Sequence, residues 1–308
     1  MAAPLVSIVV VSYRTKDLTL TALRTVFDQT EPGTFELLVV DNASDDGSAD
    51  AIEEEFGGRL TLIRSDENLG FARANNLAAE RARGEYLLLL NPDTEVLDHA
   101  IDRLLAFARS RPEAGIWGGR TVFADRTLNP ASCWQRITPW STVCMATGLR
   151  AAFKGSEWLN PEGIGSWPRD SVREVDIVVG CFLLMRLETW RALGGFDLRY
   201  WMYGEEADLC LRARALGCRP AITPDATIVH LVGASSPDDT RKEALITKAR
   251  VTLVRTHWPA WQVPFGLAMF WTWALLKGAA ARLRGRSQPH GSLFSMRKDW
   301  LAGYPPVA

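Results

Sequence analysis

The sequence predicts an α/β protein, built on a mostly parallel, Rossmann-like sheet flanked by helices and closed by a C-terminal helical extension. Three observations carry this. Short apolar runs recur through the first half at residues 5–11, 35–40, 60–63 and 86–90. Helix-period segments at 18–27, 48–56 and 71–83 separate them. The runs are apolar throughout instead of alternating, which suits strands covered on both faces. Strands separated by helices of this length make βαβ units.

Taken in order, residues 5–11 form the first strand. The Met-Ala-Ala-Pro ahead of them has no basic region, and the run is too short to cross a bilayer, so it reads as a buried strand and not as a leader. The βαβ pattern then continues to residue 90. From about Gly115 it changes. Gly118-Gly119 interrupts an apolar stretch, and residues 124–170 are irregular, with Pro, Gly, Ser and isolated Trp. That is long for a mere connection. Strands return at 175–179 and 182–185, and 205–216 is helical with Leu209, Ala213 and Leu216 on one side. Residues 240–257 form an amphipathic basic helix. Residues 264–276 are almost wholly apolar and are followed by Lys277, Arg282, Arg284 and Arg286. This last run is short for a bilayer. Its Trp residues and basic flank suit a helix lying in a membrane interface, or else a terminal helix packed on the core. The expected organisation is one domain over 1–238 and a helical segment over 239–308.

Composition narrows the partners. The 308 residues carry 35 Lys and Arg against 36 Asp and Glu, a net charge of −1. Nucleic-acid binding needs a basic excess that is missing here, so no nucleic-acid partner is expected. The five Cys are odd in number and show no CxxC spacing, which argues against a zinc ribbon or a disulfide framework and fits a reducing cytoplasm. Each Cys then reads as a small buried apolar side chain. Twelve Trp point to a large apolar groove or to a lipid interface.

Parallel sheets bind ligands beyond the carboxyl ends of their strands. No GxGxxG comes after the first strand and no GxxxxGK[ST] occurs, so a dinucleotide dehydrogenase and a P-loop enzyme are both disfavoured. Polar residues succeed each strand instead: Ser12-Tyr13-Arg14, then Asp41 through Ser48, then Asp66-Glu67-Asn68-Leu69-Gly70, then Asn91-Pro92-Asp93. Asp41 serves either as a turn residue or as an acceptor for a base N–H or a ribose hydroxyl, with Tyr13 able to stack on the base. Asp93 either caps the next helix or offers a carboxylate to Mg²⁺ or Mn²⁺, whose remaining ligands would include phosphate oxygens. Glu205-Glu206-Ala207-Asp208 is either a solvated helix start favoured by the dipole or the seat of a general base, since crowded carboxylates hold protons more tightly. His230 ends a strand and is either structural or a metal ligand.

In this order the motifs resemble the family 2 glycosyltransferases, which have the GT-A fold. The matching pieces run from Val6–Tyr13 through Val40–Ser48, Asn68–Asn76 and Leu90–Asp93 to Gly194-Gly195-Phe196-Asp197, Tyr203–Arg212, and Val229-His230 with Gly233-Ala234-Ser235-Ser236. Within the family they are most similar to the bacterial rhamnosyltransferase-like branch, which includes galactofuranosyltransferases. The resemblance implies a nucleotide-diphosphate sugar (dTDP or UDP) as co-substrate and a divalent cation, Mg²⁺ or Mn²⁺. The implied donor site comprises Ser12, Tyr13, Asp41, Asn68, Gly70, Arg73, Asn75, Asn91 and Trp201. Among these, Asp41 and Tyr13 hold the base, Arg73 and Asn75 lie near the diphosphate or shape its loop, and Trp201 lines the sugar pocket. Asn91-Pro92-Asp93 stands where the family has Asp-x-Asp. Asp93 therefore becomes the main metal carboxylate, with His230 and Asn91 beside it and one charge fewer than usual.

Glu206 occupies the position of the family's base, with Asp208 and then Glu205 as alternatives. The implied reaction is an inverting hexosyl transfer, rhamnose favoured, to a hydroxyl of a glycan or a polyprenyl-diphosphate-linked glycan in cell-surface polysaccharide synthesis. It would take place in the cytoplasm, with peripheral contact to the inner face of the plasma membrane through the tail. Competing readings are a galactofuranosyl- or other hexosyltransferase, a nucleotide-sugar binder without turnover, a lipid-associated scaffold, and a hydrolase of nucleotide sugars.

Overall fold

All seven residues of β1 (Val6–Ser12) are buried, as a strand covered on both faces requires. The computed structural model describes residues 3–231, 239–283 and 293–306. It divides into two units. One comprises Met1–Trp134, Pro168–Trp201 and Glu205–Ser235; the other comprises Gln135–Trp167, Met202–Gly204 and Ser236–Ala308. The irregular stretch after residue 134 thus groups with the tail.

In the first unit, β1 is followed by α1 (Lys16–Gln29), β2 (Phe35–Asp41), α2 (Ser48–Phe56), β3 (Thr61–Arg64), α3 (Gly70–Ala79), β4 (Tyr86–Leu90), β5 (Thr94–Val96), α4 (Ala100–Ser110) and β6 (Ile116–Val122). Short strands β7 (Leu128–Asn129) and β8 (Cys133–Trp134) come next, and the unit's remaining strands are β9 (Arg173–Glu174), β10 (Ile177–Val178), β11 (Phe182–Arg186) and β12 (Ala221–His230). The main sheet has the order β3-β2-β1-β4-β11-β6-β12-β5. Strands β3, β2, β1 and β4 are mutually parallel, and β6 and β12 are parallel to each other. β11 runs antiparallel to both β4 and β6, and β5 antiparallel to β12. Six of these eight strands therefore share one direction.

Alternation fills both faces. Val6, Ile8 and Val10 join Leu20, Leu23 and Val26 of α1, Ile52 and Phe56 of α2, and Ile101 and Leu104 of α4 in one core. The intervening Val9, Leu38, Val40, Leu87 and Leu89 are equally buried, and α3 packs against β1 and β2. Each such side chain contributes about 1.5–3 kcal/mol by leaving water. The helix expected over 71–83 stops at Ala79. The amide of Arg83 donates to Glu36 Oε1 (2.6 Å) and that of Gly84 to Ser7 Oγ (2.8 Å), so the chain is already turning into β4.

The second unit is helical: α5 (Pro139–Ala146), α6 (Leu149–Ala152), α9 (Asp239–His257), α10 (Val263–Leu283) and α11 (Arg297–Ala302), numbered around α7 (Leu187–Leu193) and α8 (Glu205–Ala215) of the first. α5 lies in the stretch expected to be irregular. Its start is specified locally, by Pro139 in the first turn and a reciprocal Thr138–Ser141 capping box. α10 outruns the apolar run because Ala279 through Ala281, the strongest helix formers, continue it past Gly278. Phe270, Ala274, Val251, Val254, Met145 and Trp300 form this unit's core. Arg250 grips the buried Glu162 with two bonds of 2.7 and 2.8 Å, and Arg150 adds a contact at 3.6 Å. Burial works against charge on Glu162, but the two guanidiniums outweigh it and hold its carboxyl below the usual range. Among the described residues no helix is long and apolar enough to cross a membrane.

The Gly194-Gly195-Phe196-Asp197 motif is a structural lock. Gly195 has φ +69°, and a Cβ there would lie 2.6 Å from Asn76 Oδ1. That space lets Asn76 accept from the Phe196 amide and donate to the Phe196 carbonyl, both at 2.9 Å. Asn76→Ala orphans two backbone groups of a buried residue. A loss of at least about 2 kcal/mol is expected in urea unfolding of the chain, and a change below about 0.5 kcal/mol would show that the lock contributes nothing.

Candidate active site

One sheet edge collects the chemistry. Ser12, Asp41, Leu90, Val122 and His230 end their strands there, and the reversed β11 and β5 begin there with Phe182 and Thr94. Ser12 is buried and its hydroxyl bonds Thr19 (2.9 Å), so it shapes the turn into α1. Tyr13 is exposed beside Arg14, which pairs with Asp45 (2.7 Å). Asp41 is only 4% exposed. Its Oδ2 accepts from the Ser44 amide (3.1 Å), while Oδ1 is buried and has no partner among the described residues. A buried carboxylate oxygen without a donor is costly and marks a place where a ligand N–H or O–H would be favoured.

Asn42, which the sequence pattern does not single out, organises the next loop. Its Oδ1 accepts from the Leu69 amide (2.8 Å) and its Nδ2 donates to Asn68 Oδ1 (3.0 Å), which also accepts from the Gly70 amide (2.9 Å). Asn68 therefore acts on the backbone at the start of α3. Gly70 has φ +73°, and a Cβ there would sit 2.7 Å from the Trp201 carbonyl and 3.1 Å from its indole. Asn68, Arg73 and Trp201, expected to share the donor site, do line one cavity of about 300 Å³, with Glu67, Leu69, Leu198 and Tyr200. Arg73 is exposed and pairs with Glu67 (3.2 Å). Asn75 is buried and donates to the Phe71 carbonyl (2.8 Å), so it serves its own helix.

A second corner holds Asn91, Asp93 and His230. The Thr94 hydroxyl donates to the Asn91 carbonyl (2.7 Å), the Asn91 amide to the Cys181 carbonyl (3.2 Å), and the Leu231 amide to the Asp93 carbonyl (3.0 Å). These bonds fix the turn that the sequence leaves open between a cap and a ligand site. His230 Nε2 lies 3.4 Å from both Asp93 Oδ1 and Asn91 Nδ2. Burial pulls the imidazolium down, but Cys181 and Asp93 outweigh it and raise His230 to about 10. Its Nδ1 is buried without a partner among the described residues.

Two ligands at about 2.1 Å from one octahedral ion stand roughly 3 Å apart, so the Asp93–His230 spacing fits a shared Mg²⁺ or Mn²⁺. Among the described residues no group of three or more His, Cys, Asp and Glu could hold a metal. A Mg²⁺ or Mn²⁺ ion held here would therefore take most of its ligands from phosphate oxygens and water, as is usual for Mg²⁺. The Gly233–Ser236 motif lies outside the described residues.

The acidic cluster opens α8, but it is not a solvated helix start: Glu205 is 5% exposed and Asp208 fully buried. Asp208 holds Arg212 at 2.7 Å, and Arg212 in turn donates to the Leu193 carbonyl at the end of α7 and to that of Gly195, both at 2.8 Å. Burial and the neighbouring Glu206 charge push the Glu205 carboxyl well above its usual range. Glu206 alone of the three is partly open to solvent.

Gly180 and Cys181, just ahead of β11, link the two carboxylate groups. A Cβ at Gly180 would lie 3.4 Å from the Phe71 ring and 3.9 Å from Glu206 Cβ. The next residue, Cys181, touches both Asn91 and His230. Sequence reasoning misses these two residues and takes Cys181 as core; the only signal is the break between two apolar runs. All five cysteines are free, and burial pushes Cys210 up to about 12.

The glycosyl transferase family 2 model matches residues 7–162. The O-antigen biosynthesis protein RfbC of Myxococcus xanthus is 32% identical over 78% of this chain and 18% of its own length. The N-acetylglucosaminyl-diphospho-decaprenol L-rhamnosyltransferase of Mycobacterium tuberculosis is 27% identical over 86% of this chain and 87% of its own. The chain spans 18% and 28% of the lengths of two curated relatives it matches, RfbC and the Sinorhizobium fredii protein y4gI. Among solved structures, a Pyrobaculum calidifontis mannosyltransferase in complex with GDP-Man and Mn²⁺ superposes with a TM-score of 0.57 at 20% identity, over 98% of this chain and 84% of that one. GalNAc-T7 with UDP, GalNAc and Mn²⁺ gives 0.60 at 16%, over 97% and 54%. At these identities the likeness shows the fold, which is GT-A.

Because Glu205 binds its proton more tightly when folded, the stability it contributes is complete below the ordinary value of 4.5 and is lost as pH rises through the raised one. Glu205→Gln keeps the shape without that loss. Thermal unfolding from about pH 4 to 8 is expected to show the variant equal to the parent at the acid end and more stable at the alkaline end; a less stable variant at the alkaline end would refute the assignment.

Proposed function

The chain belongs to glycosyl transferase family 2, and from that membership we propose that it is an inverting hexosyltransferase. Its donor is a nucleotide-diphosphate sugar and its acceptor a hydroxyl of a glycan or lipid-linked glycan in cell-surface polysaccharide synthesis. The observation that carries this reading is the Gly180–Cys181 junction, which has Glu206 on one side and the Asn91–Asp93–His230 corner on the other. Rhamnose is the favoured sugar, supported by the mycobacterial relative over nearly its whole length.

The buried, unpartnered Asp41 Oδ1 suits the N–H of a base or a ribose hydroxyl. Glu206 takes the proton from the acceptor hydroxyl, whose oxygen bonds to C1 as the bond from C1 to the diphosphate oxygen breaks. The electron pair leaves with the nucleoside diphosphate. One displacement inverts the anomeric centre, through a transition state with oxocarbenium character. Asp208 is held by Arg212 and Glu205 is buried, whereas Glu206 is partly open to solvent, which favours Glu206 as the base. Asp93, His230 and Asn91 would hold a divalent cation. When bound, the cation offsets the negative charge that grows on the leaving diphosphate. Fixing donor and acceptor together lowers the barrier further.

A lipid-linked acceptor would sit at a membrane, and the second unit has a surface for one. α10 buries Gly266, Phe270, Ala274 and Gly278, yet exposes Phe265, Trp271, Leu275, Leu276 and Leu283, with Trp261 just ahead of it. Trp261 is 79% and Leu283 89% exposed. α10 carries Lys277 and Arg282 and no acid, which favours anionic head groups. Trp140 and Trp158, 4.9 Å apart, are also exposed. Arg284 and Arg286 lie outside the described residues.

Two measurements test this reading. A nucleotide-sugar screen by thermal shift, with and without Mn²⁺, should find a donor that adds about 2.7 kcal/mol of stability at about 100 times its Kd. Glu206→Gln should keep that shift and lose transfer by about 10²–10⁴-fold; undiminished transfer would exclude Glu206 as the base. Sedimentation with anionic vesicles should retain the chain, with retention falling when outward-facing Trp261 and Leu283 are both changed to Ser. Equal retention of parent and variant would remove α10 from the contact.

A further inference from the structure

The segment that precedes the acidic cluster is conformationally expensive. Tyr203 has φ 68° and Gly204 φ 89°, two successive residues in the left-handed region. An aromatic residue rarely adopts that conformation unless its surroundings impose it. The chain runs directly from this segment into Glu205 and Glu206, so whatever fixes it fixes the start of α8.

One restraint comes from the far end of the sequence. Tyr304 donates its hydroxyl to the Met202 carbonyl at 2.6 Å, across 102 residues. Tyr304 is itself firmly seated. Its amide donates to Thr252 Oγ1 (2.8 Å), and Lys248 of α9 lies 5.5 Å from its ring centroid. Lys248 also pairs with Asp299 of α11 (2.8 Å), and the fully buried Trp300 donates to the Leu293 carbonyl (2.8 Å). The donor is thus held by packed helices before it meets the loop, and little entropy is lost in making the bond.

We propose that Tyr304 is a positioning residue: its bond to the Met202 carbonyl holds residues 202–204 in the conformation from which Glu206 reaches the acceptor. The residue touches no reacting atom and acts through the loop. The catalytic half of the inference rests on the transferase reading; the structural half does not. One net hydrogen bond shifts a local equilibrium about three- to tenfold, and that is the size of effect expected.

Tyr304→Phe in the full chain removes the donor and keeps the ring beneath Lys248. Hydrogen exchange read by mass spectrometry should rise about three- to tenfold at amides 202–206, with the thermal midpoint lowered by no more than the few degrees that one hydrogen bond accounts for. kcat for transfer should fall by a similar factor while KM for the nucleotide sugar holds. Unchanged exchange at 202–206 overturns the proposal, and so does faster exchange with unchanged kcat. A fall in thermal midpoint with kcat intact would mark Tyr304 as merely structural and also overturn it. If the parent chain transfers no sugar from any donor, the transferase reading fails, and the exchange data still decide whether Tyr304 restrains the loop.

Discussion

The direction of two strands is the constraint on which the candidate site depends. A sheet of parallel strands delivers only strand ends to its ligand edge, and β1, β2, β4, β6 and β12 do this. β11 and β5 run the other way, so they deliver their beginnings to the same edge. β5 starts immediately after Asn91-Pro92-Asp93 and pairs Thr94 with His230. β11 starts immediately after Gly180-Cys181 and pairs Phe182 with Leu90. Asn91 and His230, 139 positions apart in the chain, meet because these reversals fold them back onto one rim. An all-parallel arrangement would carry Cys181 to the opposite edge.

Burial and partners alone give the three carboxylates at the start of α8 different fates. Asp208 is fully buried and survives because Arg212 meets it, and the guanidinium spends its other nitrogens on two backbone carbonyls. Glu205 is buried and holds its proton tightly. Glu206 keeps access to solvent. Raising the proton affinity of one carboxyl eases the crowding of negative charge on its neighbour. Such separation of proton affinities within one cluster is how a site assigns acid and base roles.

Much of the first unit was legible in the sequence because a buried parallel strand writes itself as an unbroken apolar run. The polar residues after each run, Asp41 and Asp93 among them, were legible for the same reason. Contacts between distant polar side chains and backbone were not. Nothing in the spacing of Asn76 reveals that it bonds both backbone groups of Phe196, whereas its neighbour Asn75, which the family resemblance points to, serves its own helix. Asn42 hid behind Asp41. Gly180 and Cys181 carry no composition signal, since their role arises from the groups that pack on either side. α5 escaped because a helix of eight residues is fixed by its cap and not by a long apolar period.

If the two carboxylate groups address one bound donor, crystals grown with Mn²⁺ and UDP or dTDP will show it most directly, through the anomalous signal of the metal and the density of the nucleotide. The expected result is a manganese peak within bonding distance of Asp93, a base against Asp41, and Glu206 facing the open side of the diphosphate. A nucleotide bound away from Asp41, or a metal peak remote from Asp93, would contradict it.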